Sequence, residues 1–418
     1  MNKVLILGSG GREHALAWKL SQDAEVVVAP GNPGIALEFT TMSIDLADLT
    51  KVVEIARKVK PNFIVIGPEA PLILGAADRL RQAGFTVFGP GKSAAQLEGS
   101  KAFAKEMMRK AGVPTAAFQL FTCPETAKDY AKSRFDAGKM VAVKASGEAL
   151  GKGVVVCDNY EMAEDAIEML LVEGALGEAG SVIVIEDRLM GPEFSLMTLV
   201  SGMEILSLPV ARDHKRALDK DRGPNTGGMG TFSPVNSITQ SMIETTEQTV
   251  VLPILEQLRR EGINYRGLIF SGLMMDQDEI FCLEYNVRFG DPETQSVMMR
   301  IDSGLYDALE TCARDERIAP ITISPKAAVS VVLASSGYPG TYTKGHPIIF
   351  PKDLNPDQKI FFAGVSKGEN GLETSGGRVL SACGTGSSID EAKKNAYDLA
   401  DKIQFEGKML RRDIGLKE

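Results

Sequence analysis

The N-terminal part of the chain alternates short apolar runs with stretches of helical periodicity, and this alternation is the strongest constraint on the fold. The runs, rich in β-branched or aromatic residues, are residues 3–7, 25–29, 62–66 and 85–88. Strands that alternate with helices form βαβ units, which predict a parallel sheet. Ligands of such sheets bind beyond the carboxyl ends of the strands. Here those ends read GSGGREH, APGNPG, GPEAPL and GPGKSA, so every one of them contains glycine.

The rest of the chain divides at two changes of pattern. A new cycle of strand and helix begins after Gly99, and from residue 194 the strands lengthen into FSLMTLV, EILSLPVA, LIFSGLMMD and IFCLEYN, which predict an antiparallel sheet. A third unit ends in a helix at 389–404 with apolar residues at helical spacing. We therefore expect an α/β and α+β multidomain protein. Its predicted parts are a Rossmann-like parallel-sheet domain at 1–100, a middle domain at 101–325 with a small subdomain at about 117–190, and a small α+β domain at 326–418.

Length and composition exclude several classes of protein. The 418 residues are too many for one ordinary core, and 44% hydrophobic with 24% charged residues is typical of globular chains. A net charge of -9 argues against a nucleic-acid or membrane surface, so neither partner is expected. The first apolar run ends at a glycine, too early for a signal peptide or membrane span. The five cysteines include no CxxC pair, so we expect buried free thiols and a cytoplasmic protein.

The turn Gly10-Gly11-Arg12-Glu13 follows the first predicted strand and precedes a helix. Its backbone N–H groups would face an anion, so a phosphate site is one interpretation, and a tight turn without a ligand is the other. A dinucleotide fingerprint would need a third glycine at position 13. Glutamate stands there instead, so a nicotinamide cofactor is disfavoured.

Two other glycine-rich segments carry basic side chains. Lys144 and Lys152 flank a glycine-rich hairpin tip, where glycines allow close approach of phosphates and lysines neutralise them, although an ordinary turn fits as well. The segment is not a Walker A loop, because Gly153 stands where serine or threonine is required. The second segment, DHKR at 213–216 followed by GPNTGGMG, fits either a solvated loop or a site for a charged substrate.

Glu284, Asn286 and Arg288 form the most informative pattern. Alternate residues of a strand share a face, so a carboxylate, an amide oxygen and a guanidinium converge on one side. Oxygen ligands of this kind suit Mg²⁺ beside triphosphate oxygens. Glu284 follows an apolar strand, and the cost of burying its charge without a cation or donor favours a functional role. The chain has only three histidines, which leaves little material for a zinc site or a Ser/His/Asp triad.

Together these motifs resemble one known family. The segments GSGGREHALAWKL, APGNPG, GPEAPL, QLEGSKAFAK, DHKRALDKDRGPNTGGMG, EYNVRFGDPETQ and RRDIG look like those of the glycinamide ribonucleotide synthetase family of the ATP-grasp superfamily. The resemblance covers the whole chain and implies that the middle domain is an ATP-grasp domain with a lid subdomain. It also implies ligation of glycine to 5-phosphoribosylamine, with ATP converted to ADP and phosphate through glycyl phosphate, in de novo purine synthesis. The implied cofactor is Mg²⁺ or Mn²⁺, and we expect a monomer.

The resemblance also implies roles for individual residues. Lys105 and Lys144 would bind ATP phosphates, the loop at 146–153 would close over them, and Glu284 and Asn286 would hold the metal. The other residues implied for ATP are Ser146, Gly147, Gly151, Lys152, Gly153, Glu186, Asp187, Leu189 and Glu193. Those implied for substrate binding are Gly10, Gly11, Arg12, Glu13, Asn32, Pro68, Glu69, His214, Arg216 and Gly290. Those implied for glycine and the reacting phosphoryl group are Asp213, Lys215, Arg288 and Asp291.

Two segments depart from the family pattern. Ser146 stands where the family usually has aspartate and Glu148 where it has leucine, and the adenine segment reads EDRLMGPE in place of an EEFL-type run. Every lysine and candidate metal ligand is nonetheless present. Three other interpretations stay open: another ATP-grasp ligase or carboxylase, a non-catalytic nucleotide or sugar-phosphate binder, and, least favoured, a nicotinamide oxidoreductase.

Overall fold

The computed structural model describes residues 2–147 and 153–416. Its first region is a sheet with helices on its faces. Its strands are β1 (Lys3–Gly8), β2 (Glu25–Pro30), β3 (Thr40–Thr41), β4 (Phe63–Ile66) and β5 (Val87–Phe88). Its helices are α1 (Gly11–Leu20), α2 (Leu49–Val59), α3 (Glu69–Leu74), α4 (Ala76–Gln82) and α5 (Lys92–Gly99), with a 3₁₀ turn at Ile35–Leu37. All strand pairs are parallel, in the order β3-β2-β1-β4-β5, which confirms the predicted parallel sheet.

A second, smaller sheet follows and has a hydrophobic core of its own. The helices are α6 (Lys101–Ala111), α7 (Pro124–Asp136) and α8 (Tyr160–Ile167), with a π turn at Glu168–Val172 and a 3₁₀ turn at Gly177–Gly180. The strands are β6 (Phe118–Phe121), β7 (Val141–Ala145), β8 (Val154–Cys157) and β9 (Ile183–Asp187), in the order β6-β9-β7-β8. Val143 and Ile185 of the sheet pack with Ala127 and Ala131 of α7 and with Ala163 of α8. This sheet lies within residues 117–190, for which the sequence predicts a lid subdomain.

The main sheet of the middle region is antiparallel, as predicted, in the order β11-β10-β16-β17. The strands of this region are β10 (Glu193–Ser201), β11 (Glu204–Ser207), β12 (Arg212–Asp213), β13 (Arg216–Leu218), β14 (Arg222–Asn225), β15 (Gly230–Ser233), β16 (Arg266–Asp276), β17 (Glu279–Asn286), β18 (Ile301–Ser303) and β19 (Thr322–Ile323). The helices are α9 (Gln240–Thr246), α10 (Leu252–Arg260), α11 (Glu293–Met298) and α12 (Leu305–Arg314), with a π turn at Glu247–Val251.

The C-terminal sheet includes strands from two distant parts of the chain. Its own elements are β20 (Ala327–Ser335), β21 (Gln358–Phe362), β22 (Val365–Gly368), β23 (Gly371–Thr374), β24 (Arg378–Gly386), α13 (Ile389–Lys402) and β25 (Lys408–Met409). The sheet runs β12-β15-β20-β24-β21, so two strands of the middle region extend it. The predicted C-terminal helix is confirmed, and Ser388 accepts a hydrogen bond from Glu391 N at 3.2 Å as its N-cap. This shared sheet brings C-terminal residues close to the segment at 213–216.

Two further expectations concern cysteines and membranes. Four cysteines are buried, as expected, whereas Cys123 is exposed just before α7, where its thiol donates to Glu125 Oε2 at 3.0 Å. Within residues 2–147 and 153–416, no helix has the combination of length and hydrophobicity that a membrane crossing needs.

Candidate active site

An open cleft of about 1050 Å³ lies between the small sheet, the main antiparallel sheet and the segment at 212–227. Many of the residues predicted for the site line it together: Lys144, Gly153, Glu186, Asp187, Leu189, Glu193, Asp213, His214, Lys215, Arg216, Glu284, Asn286, Arg288 and Asp291. A smaller cavity of about 170 Å³ adjoins it and is lined by Lys105 and Glu69 as well as by Lys144, Glu284, Asn286 and Arg288. Among residues 2–147 and 153–416, the other predicted positions line neither space: Ser146, Gly147, Gly10, Gly11, Arg12, Glu13, Asn32, Pro68 and Gly290.

Lys105 and Lys144 both pair with one buried carboxylate, that of Glu186. Lys105 Nζ lies 2.7 Å from Glu186 Oε2, and Lys144 pairs with Glu186 Oε1. Lys105 also donates to Thr115 Oγ1 at 2.6 Å, and Thr115 donates to the Cys282 carbonyl at 2.6 Å, which fixes the lysine against β17. Two cations therefore share one anion, so the group carries an excess of positive charge. We name Lys105, Lys144 and Glu186 the lysine cluster.

Burial affects the two lysines of this cluster differently. Burial lowers the pKa of Lys105, and Glu186 offsets this only in part. For Lys144, burial also favours the neutral form, but Glu186 and the nearby Glu284 outweigh it, so the pKa is raised. The pKa of Glu186 is lowered because both lysines outweigh the effect of its burial. The charged forms of Lys144 and Glu186 are therefore favoured, and the two lysine side chains suit an anionic ligand.

Glu284 and Asn286 lie near the end of β17 and face both the cleft and the adjoining cavity. Burial alone would raise the pKa of Glu284, but Lys215 and Lys144 lower it, so its carboxylate is ionised. Mg²⁺ is commonly bound by one or two protein oxygen ligands, and substrate phosphates supply others. Here the protein supplies one carboxylate and one amide oxygen. No group of three or more acidic, cysteine or histidine side chains suited to a metal occurs in the described parts of the chain. The two residues therefore fit a metal that a triphosphate helps to bind.

Arg288 follows β17 and is held by two carboxylates of the N-terminal region. Its side chain lies 3.1 Å from Glu69 Oε2 and 2.8 Å from Glu98 Oε1. Glu98 also accepts a hydrogen bond from Val287 N at 2.8 Å, so it fixes the backbone beside Arg288. Burial lowers the pKa of Arg288, but Glu98 and Glu69 outweigh it and raise the value. We name Arg288, Glu69 and Glu98 the arginine cluster.

The segment after Arg288 connects all three regions of the chain. Asp291 accepts from the Gln295 side chain at 2.8 Å and pairs with Arg378 of β24 at 3.2 Å. A Cβ at Gly10 would lie 3.5 Å from Asp291 Oδ2, so the N-terminal turn reaches this carboxylate. Gly290 packs closely as well, since a Cβ there would approach a carboxylate oxygen of α11 within 2.6 Å. N-terminal, middle and C-terminal residues therefore meet at Asp291.

Asp213, Lys215 and Glu193 lie on the opposite wall of the cleft. Lys215 Nζ is 2.7 Å from Glu193 Oε2. Asp213 Oδ1 is buried and has no hydrogen-bond donor among the described residues. Burial raises the pKa of Asp213, and the charge of Glu293 raises it further, while Ser195 donates to Glu293 at 3.0 Å. Burial and the nearby Glu293 therefore both favour the protonated form of Asp213.

His214 and Arg216 contact backbone groups. His214 Nδ1 lies 3.2 Å from the Gly230 carbonyl, and burial together with the charge of Arg411 lowers the pKa of its imidazole to about 4. The imidazole is therefore neutral at neutral pH. Arg216 donates to the Gly223 carbonyl at 2.9 Å, across the β13–β14 hairpin.

In the N-terminal turn, the Glu13 carboxylate folds back under the backbone. It accepts from Gly10 N at 2.6 Å and pairs with Arg12 at 2.5 Å, while Arg12 also donates to the Phe289 carbonyl at 3.0 Å. A Cβ at Gly67 would lie 2.0 Å from Glu13 Oε1, so only glycine fits there. The side chains of Arg12 and Glu13 thus connect this turn to β4 and to the segment after β17.

The other N-terminal residues predicted to bind substrate contact protein groups. The Asn32 amide nitrogen donates to the Ala363 carbonyl at 3.2 Å, which joins β2 to the C-terminal region. A Cβ at Gly11 would lie 2.7 Å from Gln295 Nε2, so α1 begins in close contact with α11. Pro68 immediately precedes α3, whose first residue is Glu69 of the arginine cluster.

The residues predicted for the phosphate loop are divided by the limits of the described chain. Ser146 Oγ accepts from Ala102 N at 3.0 Å, and the Ser146 carbonyl accepts from Lys101 N at 2.7 Å, so this serine contacts the start of α6. Gly147 N donates to the Ala179 carbonyl at 2.9 Å. Gly153 lines the cleft. The other predicted positions, Glu148, Gly151 and Lys152, lie outside the described residues.

The segment predicted to contact adenine lines the cleft at the end of β9. The Asp187 carboxylate accepts two hydrogen bonds from Arg134, at 2.8 and 2.5 Å, which joins β9 to α7. Leu189 follows it along the cleft wall. Glu186 precedes it, and its side chain belongs to the lysine cluster.

Comparison with known proteins identifies the family of this chain. Three domain models of phosphoribosylglycinamide synthetase match successive parts of the chain: the N domain at residues 2–98, the ATP-grasp (A) domain at 99–294 and the C domain at 328–417. The chain belongs to the phosphoribosylglycinamide synthetase family.

Individual members of the family match along their whole length. Phosphoribosylamine–glycine ligase of Vibrio parahaemolyticus is 43% identical over 424 residues, which cover 99% of this chain and 98% of the relative. The Agrobacterium fabrum enzyme of the same name is 44% identical over 418 residues, with 99% and 98% covered. A crystal structure of phosphoribosylamine–glycine ligase from Thermotoga maritima is 38% identical, has a TM-score of 0.88 and covers 99% of this chain and 100% of that one.

The fold is also found outside the family. The biotin carboxylase domain of 2-oxoglutarate carboxylase from Hydrogenobacter thermophilus, solved with ADP and magnesium, has a TM-score of 0.75 at 18% identity. It covers 98% of this chain and 91% of that one. At this identity the likeness concerns the fold alone. The predicted ATP-grasp domain is confirmed by the family model that matches residues 99–294.

For this member of the phosphoribosylglycinamide synthetase family, sequence reasoning missed four side chains that the structure places at the site. Glu293 lies inside RFGDPETQ, so a search for carboxylates near Asp291 would have found it. Glu98 lies inside QLEGSKAFAK, far along the chain from Arg288, the residue that it contacts. Arg378, which pairs with Asp291, and Arg411, which lines the cleft, lie far along the chain and reach the site only through the tertiary structure. No spacing in the sequence predicts that.

Proposed function

We propose that this chain is an ATP-dependent ligase that joins glycine to 5-phosphoribosylamine in purine biosynthesis and forms N1-(5-phosphoribosyl)glycinamide, ADP and phosphate. Membership of a family of ligases of this name supports the proposal. The observation that carries it is that Glu284 and Asn286 line one cleft together with Lys144, Lys215 and Arg288. Cations and oxygen ligands gathered in this way suit a triphosphate and a carboxylate substrate.

The reaction needs the carboxylate of glycine to be activated, because its oxygen is a poor leaving group. In the proposed course, a glycine carboxylate oxygen attacks the γ-phosphorus of ATP, the bond between that phosphorus and ADP breaks, and glycyl phosphate forms. The amine nitrogen of phosphoribosylamine then attacks the acyl carbon. The carbon–oxygen bond to phosphate breaks, and the nitrogen loses a proton as the amide forms.

The side chains of the cleft serve this course mainly by charge and position. Lys144 and Lys105 would neutralise the phosphates, and Arg288 with Lys215 would hold the glycine carboxylate and the phosphoryl group in line. Glu284 and Asn286 would hold Mg²⁺ or Mn²⁺, which when bound supplies further neutralisation of the phosphate oxygens. No covalent enzyme intermediate is required, because phosphoryl transfer depends on positioning more than on a protein nucleophile.

Several parts of the proposal extend the sequence predictions. We propose the domain limits 1–100, 101–325 and 326–418, a lid formed by the subdomain at about 117–190, and closure of the loop at 146–153 over the phosphates. Closure would protect glycyl phosphate from water, since acyl phosphates hydrolyse. We also propose that the protein acts as a monomer in the cytoplasm.

The deciding experiment is a coupled assay of ADP release with phosphoribosylamine generated in situ, with and without glycine. The ligase releases ADP at a high rate only when glycine is present and forms glycinamide ribonucleotide in equal amount. ATP binding without glycine-dependent ADP release would instead identify a nucleotide binder. Glycine-independent turnover with another carboxylate or amine in a substrate screen would identify a different ATP-grasp ligase.

A further inference from the structure

The β13–β14 hairpin forms one wall of the cleft, yet it is a two-stranded ribbon. Arg216, Asp221 and Asn225 of the hairpin line the cleft. The two strands pair only with each other among the described residues, with a register shift between Arg216 and Leu218. An isolated two-stranded hairpin is marginally stable in water, so contacts from elsewhere must hold it in place.

Those contacts come from the C-terminal end of the described chain, above all from Arg411. Its side chain is fully buried although it carries a charge. It lies 2.9 Å from Asp221 Oδ1 at the tip of the hairpin and donates to the Arg216 carbonyl at 3.1 Å, where the hairpin begins. Asp413 accepts from the same guanidinium at 2.7 and 2.8 Å. One arginine thus contacts the start of β13 and the turn that joins β13 to β14.

Two more contacts connect the same segments, and the C-terminal segment is itself anchored. Asp413 Oδ2 accepts from Lys220 N at 2.8 Å, and Arg412 N donates to Asp219 Oδ1 at 2.7 Å. Behind them, the Tyr397 hydroxyl of α13 donates to the Arg411 carbonyl at 2.9 Å. The hairpin is therefore connected through these residues to the C-terminal domain.

We propose that Arg411 and Asp413 are positioning residues that hold the β13–β14 hairpin over the cleft and so keep water from the acyl phosphate intermediate. This inference rests on the proposed ligase function. When the hairpin is loosened, water attacks the acyl carbon of glycyl phosphate, the carbon–oxygen bond to phosphate breaks, and glycine and phosphate are released with a proton. Each such event consumes one ATP and forms no glycinamide ribonucleotide, so the ratio of ADP to product rises.

The ratio of ADP to product distinguishes a residue that positions the hairpin from one that only stabilises the fold. A residue that only stabilises the fold lowers the amount of active enzyme, and both ADP and product then fall together. A residue that holds this wall of the cleft in place changes how the intermediate divides between amine and water. The ratio is independent of the concentration of folded enzyme, so partial unfolding of a variant does not imitate the effect.

The experiment compares Arg411→Ala with Arg412→Ala, its neighbour. The Arg412 side chain is half exposed and pairs with Asp401 of α13 at 2.7 Å, whereas its hairpin contact uses the backbone N–H and survives the substitution. For the wild type and Arg412→Ala we expect one ADP per glycinamide ribonucleotide. For Arg411→Ala we expect a ratio of about two or more, and Arg411→Lys restores part of the coupling because it keeps the charge.

A second readout follows the hairpin directly. Trypsin should cleave after Lys220 or Arg222 faster in Arg411→Ala than in Arg412→Ala, because these exposed residues lie on a hairpin that has lost its main contact. If Arg411→Ala does not fold, Asp221→Asn removes one ion pair from the exposed side and is tested in the same way. A ratio of one in the folded variant overturns the positioning role. Absence of product from the wild type overturns the proposed function itself.

Discussion

The lysine cluster and the arginine cluster lie in adjoining parts of one site and differ in their ratio of cations to carboxylates. In the lysine cluster, two cations share the single carboxylate of Glu186. In the arginine cluster, one guanidinium is held by two carboxylates, Glu69 and Glu98. A buried charge needs a partner. Under the proposed function a phosphate would complete the first group, beside Glu284, which also lies near Lys144. The charge of Arg288 is already matched within the protein.

We therefore expect the lysine cluster to bind an anion and the carboxylates of the arginine cluster to orient Arg288. The lysines lie on α6 and β7, beside the small sheet, and their positive excess favours a triphosphate. Glu98 bonds both to Arg288 and to Val287 N, so it sets the direction of a side chain that would meet the substrate carboxylate. Substitutions in the two clusters should therefore respond differently to ATP.

The largest effect is expected for Glu186→Gln. The substitution leaves two buried lysines without their anion, and breaking a buried pair in this way costs about 3–5 kcal/mol of unfolding free energy. Saturating ATP should reduce the deficit relative to the wild type, because the triphosphate supplies negative charge. Urea unfolding with and without ATP measures both values. An unchanged deficit in the presence of ATP would show that the lysine cluster does not bind the nucleotide.

The next effect concerns turnover. Lys144→Ala and Glu284→Ala should each reduce ligation by at least about a hundredfold, as expected for loss of one preorganised charge at a site of phosphoryl transfer. Steady-state ADP release measures it, and Lys132→Ala, at an exposed position on α7, is the matched control that should retain wild-type turnover. Ordinary turnover by either folded variant would contradict the assignment of the cleft.

A smaller loss of stability is expected for Glu98→Gln. The substitution keeps an oxygen that accepts from Val287 N but weakens the contact with Arg288, so the unfolding free energy should fall by about 1–3 kcal/mol. ATP should leave this difference unchanged, in contrast to Glu186→Gln. Rescue of Glu98→Gln by ATP to the same extent would remove the distinction between the clusters.

The last effect is confined to acidic pH and concerns His214. Its pKa is lowered from the usual 6.5 to about 4 by burial and by Arg411, so between these values the unfolded chain binds more protons than the folded one. The contribution of His214 to the unfolding free energy is therefore complete above pH 6.5 and decreases as the pH falls toward 4. His214→Gln should weaken the pH dependence measured by urea unfolding over this range. A curve identical to that of the wild type would argue that the imidazole titrates normally.

The sequence was a good guide wherever the signal was local. The parallel sheet, the antiparallel strands and the C-terminal helix follow from periodicity within single segments, and the structure confirms all three. The convergence of Glu284 and Asn286 also follows from strand alternation alone. The same reasoning missed Glu98 and Arg378, because each acts on a residue that is distant along the chain.

By itself, the sequence determined the family, the types of secondary structure and the set of basic and acidic side chains available for phosphate chemistry. These properties depend on short-range patterns that each segment carries. Only the tertiary structure decided how the charges are matched: two lysines to one carboxylate, one arginine to two, and Arg411 to a hairpin that begins near residue 216. The physical reason is that charge pairing and burial depend on distance in space, which folding sets by packing three separate sheets around one cleft.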